Sequence, residues 1–265
     1  MKQLPLFITA CLLLWGAGRL SAQSQPTYHY YCLPCNNACD TIAFSAPGQC
    51  PHCHMELIRQ TGEERRHMQK KDRLKIAFYL QDGVEVLDFA GPMEVFDYAG
   101  FDIFTVSKTR RPITSQGVLK IIPDYTLDNA PAADILAFFG GNAGAAANDP
   151  AVIEWVKRQE HIRHYFSVCT GAFILGKASL LDSLTVTTFH QSIASLQQAV
   201  PTAKVLSNVR FVDNGKVITT AGISAGIDGA LHLVAKIRGR EMAEKVAAYM
   251  EYDKWVPAAG LVLAP

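Results

Sequence analysis

Apolar and polar positions divide the chain into stretches of different character. Behind Lys2, Leu4 to Gly18 is almost wholly apolar, and Leu20-Ser21-Ala22 offers small residues for cleavage before Gln23. The run is about 15 residues, short of the roughly 20 that a spanning helix needs. It predicts a secretory signal over residues 1–22, export to the periplasm, and no membrane span once the signal is cleaved. Residues 26–58 are short and cysteine-rich. Residues 59–73 are polar and mixed in charge, and read as a linker.

From Leu74 the pattern changes to short apolar runs alternating with helical segments. Leu74–Leu80, Asp102–Ser107, Asp134–Phe139 and His164–Val168 read as strands. Gly91–Tyr98 reads as a helix with Pro92 in its first turn. Asp149-Pro150 starts another that runs to Glu160, with Asp149 as N-cap and Pro150 at the first helical position. Gly171–Leu181, Gly226–Ile237 and Glu241–Met250 are helical. Val209–Thr220 breaks at Asn214-Gly215 and predicts a hairpin. Apolar strands alternating with helices predict an α/β domain over residues 74–252, a parallel sheet covered by helices on both faces, with a tail over 253–265.

Length and charge limit what such a chain can do. Its 265 residues allow one large domain and one small module. A formal net charge of +1 leaves no electrostatic footprint for nucleic acid.

The cysteine-rich stretch carries the first candidate chemistry. Cys32-x-x-Cys35 and Cys50-x-x-Cys53 are separated by 14 residues. Two such hooks supply four thiolates for a tetrahedral metal, with zinc the default and copper(I) also suited to the thiolates and Met55. Disulfides are the alternative in an exported protein, though Cys39 makes the count odd. His52 and His54 add ligand-capable side chains. The residues Tyr31-Cys32 and Pro47-Gly48-Gln49-Cys50-Pro51-His52-Cys53-His54-Met55 resemble the heavy-metal-binding module of copper and zinc efflux proteins. They depart from it where Cys35 and His54 stand.

The second candidate is a nucleophile. His164–Val168 runs into Cys169-Thr170-Gly171-Ala172 and then an apolar helix, a strand–turn–helix that presents a reactive group. A cysteine at a helix N-terminus is expected to have a lowered pKa and to favour thiolate. Gly140-Gly141 ends another strand, where backbone N–H groups can approach a ligand. Asp88 and Glu94 follow the first strand, and carboxylates there line the usual crevice. His190 is a further candidate base or orienting group.

Together these residues resemble the ThiJ/PfpI superfamily, the class I glutamine amidotransferase-like group with a flavodoxin-like fold. The motifs are Leu87-Asp88-Phe89-Ala90-Gly91-Pro92-Met93-Glu94-Val95-Phe96, Gly140-Gly141, Ser167-Val168-Cys169-Thr170-Gly171 and Ala221-Gly222-Ile223-Ser224-Ala225-Gly226-Ile227-Asp228. The Ser-Val-Cys-Thr-Gly form looks most like isocyanide (isonitrile) hydratases and the sensor domains of AraC-type regulators. Thr170 stands where PfpI-type proteases have His, no late His-x-Glu pair is present, and His190 is displaced by one residue from the hydratase pattern. The resemblance implies a Cys169 nucleophile, Asp88 as acid and base, and Gly141 and Thr170 amides for developing charge. It also implies a small electrophilic substrate such as an isocyanide or a 2-oxoaldehyde, no cofactor in the α/β domain, and a homodimer. A non-catalytic thiol sensor or metal-binding protein of the cell envelope is the other reading.

Overall fold

The computed structural model describes residues 28–32, 38–61 and 73–263. The signal expected over 1–22, Cys35 and most of the expected linker lie outside the described residues.

The small module holds β1 (Tyr28–Tyr31) and β2 (Ile58–Thr61), paired antiparallel, with a short 3-10 turn at Ala38–Thr41 between them. The α/β domain begins with β3 (Lys75–Tyr79), α1 (Val86–Tyr98) and β4 (Asp102–Ser107). A small hairpin of β5 (Ile113–Ser115) and β6 (Leu119–Ile121) follows, then β7 (Tyr125–Thr126) and β8 (Ile135–Phe138). Next come α2 (Ala143–Ala147), α3 (Pro150–Arg158), β9 (His164–Val168) and α4 (Ala172–Lys177). The chain closes through β10 (Thr185–Thr187), α5 (Ile193–Ala199), β11 (Lys204–Leu206), β12 (Phe211–Asp213), β13 (Val217–Thr220), α6 (Ala225–Arg238), α7 (Arg240–Tyr249) and β14 (Leu261–Val262).

The main sheet runs β14-β12-β13-β9-β8-β3-β4-β7. All its neighbours pair in parallel except β12 with β13, the hairpin read at Asn214-Gly215. The sheet is therefore mixed, and the segment read as a tail contributes its edge strand β14. Side chains alternate across a strand, and the two cores follow that period. Ile76, Phe78, Ala137, Phe139 and Phe166 face α1, α6 and α7. Ala77, Tyr79, Leu136, Phe138 and Tyr165 face α2, α3, α4 and α5. Trp155 of α3 is fully buried in the second core, and Asp149 caps that helix by accepting the Ala151 N–H.

Helix α4 ends at Lys177, four residues short of the expected Leu181, and α1 begins earlier than expected. Helix α1 starts at Val86, so Pro92 lies inside it and not in its first turn. Proline offers no N–H to the carbonyl four residues back, that of Asp88. The earlier start carries Asp88 onto the first turn of α1, in the crevice beyond β3. After β3 the chain moves to β4 on one side and later returns to β8 on the other. Such a switch point, at the carboxyl ends of the strands, is where open α/β sheets bind ligands.

Candidate active site and a four-cysteine group

Cys169 follows β9 directly and takes φ 58°, in the left-handed region that a non-glycine residue seldom occupies. Its N–H donates to the Ala221 carbonyl at 3.1 Å, and the Thr188 hydroxyl donates to its carbonyl at 2.7 Å. The 3-10 turn Cys169–Gly171 then opens into α4. Gly171 permits this tight start, because a Cβ there would lie 2.4 Å from the Phe138 carbonyl oxygen.

Asp88 reaches the same point from α1 and is fully buried. Its Oδ2 accepts the Gly140 N–H at 2.8 Å, and its Oδ1 accepts the Ile223 N–H at 3.0 Å. The carboxyl group and the Cys169 thiol are neighbours across Gly140, where a Cβ would meet both Asp88 Oδ2 and Cys169 Sγ at 2.7 Å. Burial raises Asp88 to about 6, helped by the charge of Glu85, against the pull of the Gly140 and Ile223 N–H groups. Burial also pushes the Cys169 thiol up to about 12, with the Asp88 carboxylate adding to the rise while the N–H and hydroxyl of Thr170 oppose it.

That direction corrects the expectation of a lowered thiol pKa. The turn at Cys169 is three residues of 3-10 helix ahead of a six-residue α4, so little helix dipole faces the sulfur. Burial and a neighbouring carboxylate outweigh it. Cys169 is a neutral thiol at rest, with the Asp88 carboxylate beside it as a base.

The other sequence candidates fall at different places. Gly141 follows β8 and is exposed. Among the described residues its N–H has no protein acceptor, whereas the neighbouring Asn142 N–H donates to Gly83. Thr170 is half-buried beside Cys169. His190 is exposed, its ring edge-on to Phe189 at 4.4 Å, and no hydrogen bond joins it to Cys169 or Asp88. Glu94 is exposed further along α1.

Ile223 was not singled out from sequence, yet it supplies half of the Asp88 anchorage. It sits at φ 55°, which a β-branched residue rarely adopts. Its place in the Ala221–Asp228 motif is the sequence signal, and a motif does not report a backbone angle. Gly140 is equally tight. A Cβ there would lie 2.7 Å from both Asp88 Oδ2 and Cys169 Sγ. Gly140→Ala is therefore expected to displace the sulfur and slow alkylation of Cys169 by iodoacetamide at least about tenfold. Mass spectrometry would measure this, and unchanged alkylation would show that the pair can spread without consequence.

In the small module the sulfurs of Cys32, Cys39, Cys50 and Cys53 all lie within 4.8 Å of one another, a group that can hold a metal ion. The hook reading placed Cys35 in this set. Cys35 lies outside the described residues, and Cys39, left without a role in the sequence reading, stands in the group. The module packs against α7: the Tyr249 hydroxyl donates to Met55 Sδ at 3.1 Å, and Lys245 Nζ donates to the Arg59 carbonyl at 2.8 Å. Among the described residues no helix is long and apolar enough to cross a membrane.

A mixed α/β sheet with a cysteine on a strained strand-to-helix turn, facing a buried carboxyl at the switch point, defines a class of thiol-bearing domains. The chain belongs to the DJ-1/PfpI family, whose model matches residues 74–236. It is 32% identical over 185 residues to an isonitrile hydratase of Pseudomonas putida, covering 68% of this chain and 78% of that one. It is 26% identical to the HTH-type transcriptional regulator GbdR of Pseudomonas aeruginosa, but spans only 53% of that regulator's length. Among solved structures, a ThiJ/PfpI family protein from Pseudomonas syringae superposes with a TM-score of 0.64 at 30% identity, covering 70% of this chain and 77% of that one. Drosophila melanogaster DJ-1beta, at 18% identity and a TM-score of 0.62 over 68% of this chain and 98% of its own, shares the fold.

Proposed function

We propose that this chain is a cysteine-dependent hydratase of small electrophiles, converting an isocyanide to an N-substituted formamide. The observation that carries the reading is the close approach of the buried Cys169 thiol and Asp88 carboxyl, both set against Gly140 at the mouth of the sheet. The likeness to an isonitrile hydratase supports the substrate class.

At neutral pH Asp88 is ionised and Cys169 protonated. Asp88 takes the thiol proton as sulfur bonds to the terminal isocyanide carbon, then returns that proton to the same carbon, leaving a thioimidate on Cys169. Asp88 next takes a proton from water, whose oxygen adds to the thioimidate carbon. The carbon–sulfur bond breaks, and the two water protons end on the substrate nitrogen and on sulfur. The net change is addition of one water, with no redox partner. Thr170 N–H steadies the sulfur as it gains charge, and the free Gly141 N–H serves charge developing on the bound molecule. His190, exposed and unlinked to the pair, has no step in this scheme.

The raised thiol pKa argues against a freely oxidised sensor, because oxidation and alkylation proceed through thiolate. The wider reading includes export, a homodimer, and a soft metal ion, zinc or copper, in the four-thiol group.

Steady-state assays on an alkyl isocyanide, methylglyoxal and a simple ester test the proposal. Formation of the N-alkylformamide is expected. Turnover of methylglyoxal or the ester alone would replace the substrate class. Silence across the panel, with Cys169 still alkylated stoichiometrically, would replace the enzyme by a sensor.

A further inference from the structure

The four-thiol group differs from what paired hooks imply, and the difference assigns its ligands. A zinc ion with Zn–S bonds of about 2.3 Å holds tetrahedral sulfurs about 3.8 Å apart. Cys32 Sγ and Cys53 Sγ already stand 3.6 Å apart, and all four sulfurs fall within 4.8 Å. A contraction of at most about 1 Å between sulfurs would close a tetrahedron around an ion.

The backbone around each sulfur is built for that role. Cys32 follows β1 and is fully buried. Cys39 is delivered by the 3-10 turn at Ala38–Thr41 and is 2% exposed. At Cys50 the chain folds back on itself: its N–H donates to the Met55 carbonyl at 2.8 Å and its carbonyl accepts the His54 N–H at 2.9 Å. The His52 N–H lies 3.4 Å from Cys50 Sγ, a donor aimed at sulfur that favours the thiolate. Ile42, Phe44 and Leu57 pack around the sulfurs as an apolar shell.

Among the described residues, the other ligand-capable side chains of the module are directed elsewhere. His52 and His54 are exposed. The Met55 sulfur takes the Tyr249 hydroxyl, so it serves the contact with α7. Three buried thiols and the partly buried thiol of Cys53 make a full set of four ligands, as in structural zinc sites and unlike catalytic ones.

We propose that Cys32, Cys39, Cys50 and Cys53 form a closed tetrathiolate zinc site, with Cys39 as the fourth ligand, that staples the small module beside α7. This rests on the soft-metal reading of the group given above. A module this small lacks the core to hold itself together without such a staple.

Cysteine mapping on the full chain tests it. Reduced protein loaded with one equivalent of zinc is treated with iodoacetamide and digested for mass spectrometry. Cys32, Cys39, Cys50 and Cys53 are expected to be protected, and to become alkylated when a chelator is added, while Cys35 is alkylated throughout. X-ray absorption should give four sulfurs around zinc, falling to three in Cys39→Ser, with zinc affinity at least about 10-fold weaker. Cys35→Ser should keep all four. Protection of Cys35 with Cys39 alkylated, or loss of a sulfur in Cys35→Ser, would overturn the assignment of Cys39 and leave the metal reading standing. Failure of the reduced chain to retain zinc at all would overturn the metal reading itself. The mapping uses the native chain, so it decides even where a variant fails to fold.

Discussion

Cys169→Ala is expected to lower kcat/KM for an alkyl isocyanide by at least about 10³-fold, the scale of removing a nucleophile. The variant deletes only the sulfur, so the loss should come without a change in the circular dichroism spectrum. Retention of a tenth of the activity would remove Cys169 from the reaction. Asp88→Asn should cost about 10²- to 10⁴-fold, because the thiol then has no base. The pH profile separates these roles. With a neutral thiol at rest, the ionised carboxylate is the competent form, so wild-type kcat/KM should rise with pH through about 6, where Asp88 loses its proton. In Asp88→Asn that inflection should vanish. An unchanged inflection would assign it to another group.

The same burial has a cost in stability. Asp88 has a folded pKa above its unfolded value, so its protonated form is the one the fold favours. Stability is full below the unfolded carboxylate pKa, near 4, and is lost as pH rises to about 6. The loss amounts to about 3 kcal/mol for a group buried this fully. The buried base that serves the thiol thus weakens the fold at the pH where the site is competent.

Asp213→Ala is expected to destabilise the α/β domain by about 3 kcal/mol, lowering Tm by about 6 to 12 °C. Asp213 ends β12 and is fully buried. Its carboxylate lies 2.8 Å from His232 Nε2 and 2.9 Å from Lys236 Nζ, both on α6, and accepts the Gly215 N–H at 2.7 Å. Burial alone would raise this carboxyl, but hydrogen bonds from His232, Lys236 and Gly215 outweigh it and hold the pKa down. Replacing a buried ion pair by apolar groups is often harmless. Removing one partner is not, because Lys236 would keep its charge in a mostly buried place. A depressed folded pKa means stability that is present above the unfolded value and lost as pH falls below it. The gap between wild type and variant should therefore be full at pH 7 and shrink below about pH 4. Thermal unfolding at both pH values measures it, and a shift under 2 °C at pH 7 would show that water takes over the role of Asp213.

Several features were legible because they rest on local rules. The unbroken apolar run Ile76-Ala77-Phe78-Tyr79 marks a strand buried on both faces, and in the structure Ile76 and Phe78 join one core while Ala77 and Tyr79 join the other. Asn214-Gly215 marks the turn between β12 and β13 because glycine tolerates the positive φ it takes there, 85°. Asp149-Pro150 marks the start of α3 because a carboxylate cap and a fixed φ favour helix initiation wherever they occur. The passage from β9 to Cys169 to α4 belongs to the same class.

What the sequence by itself determined was thus the order of the principal strands and helices, the two-faced sheet and the placing of a cysteine at a strand end, all set within a few residues of chain. The tertiary structure alone decided the rest. The Asp88 carboxyl depends on Ile223, 135 residues away. The Cys169 thiol is neutral because burial and that carboxyl, both products of packing, outweigh the local helix. Cys39 meets Cys32, Cys50 and Cys53 only once β1 and β2 pair around them. A pKa and a ligand set are sums over neighbours in space, and the chain brings those neighbours together only on folding.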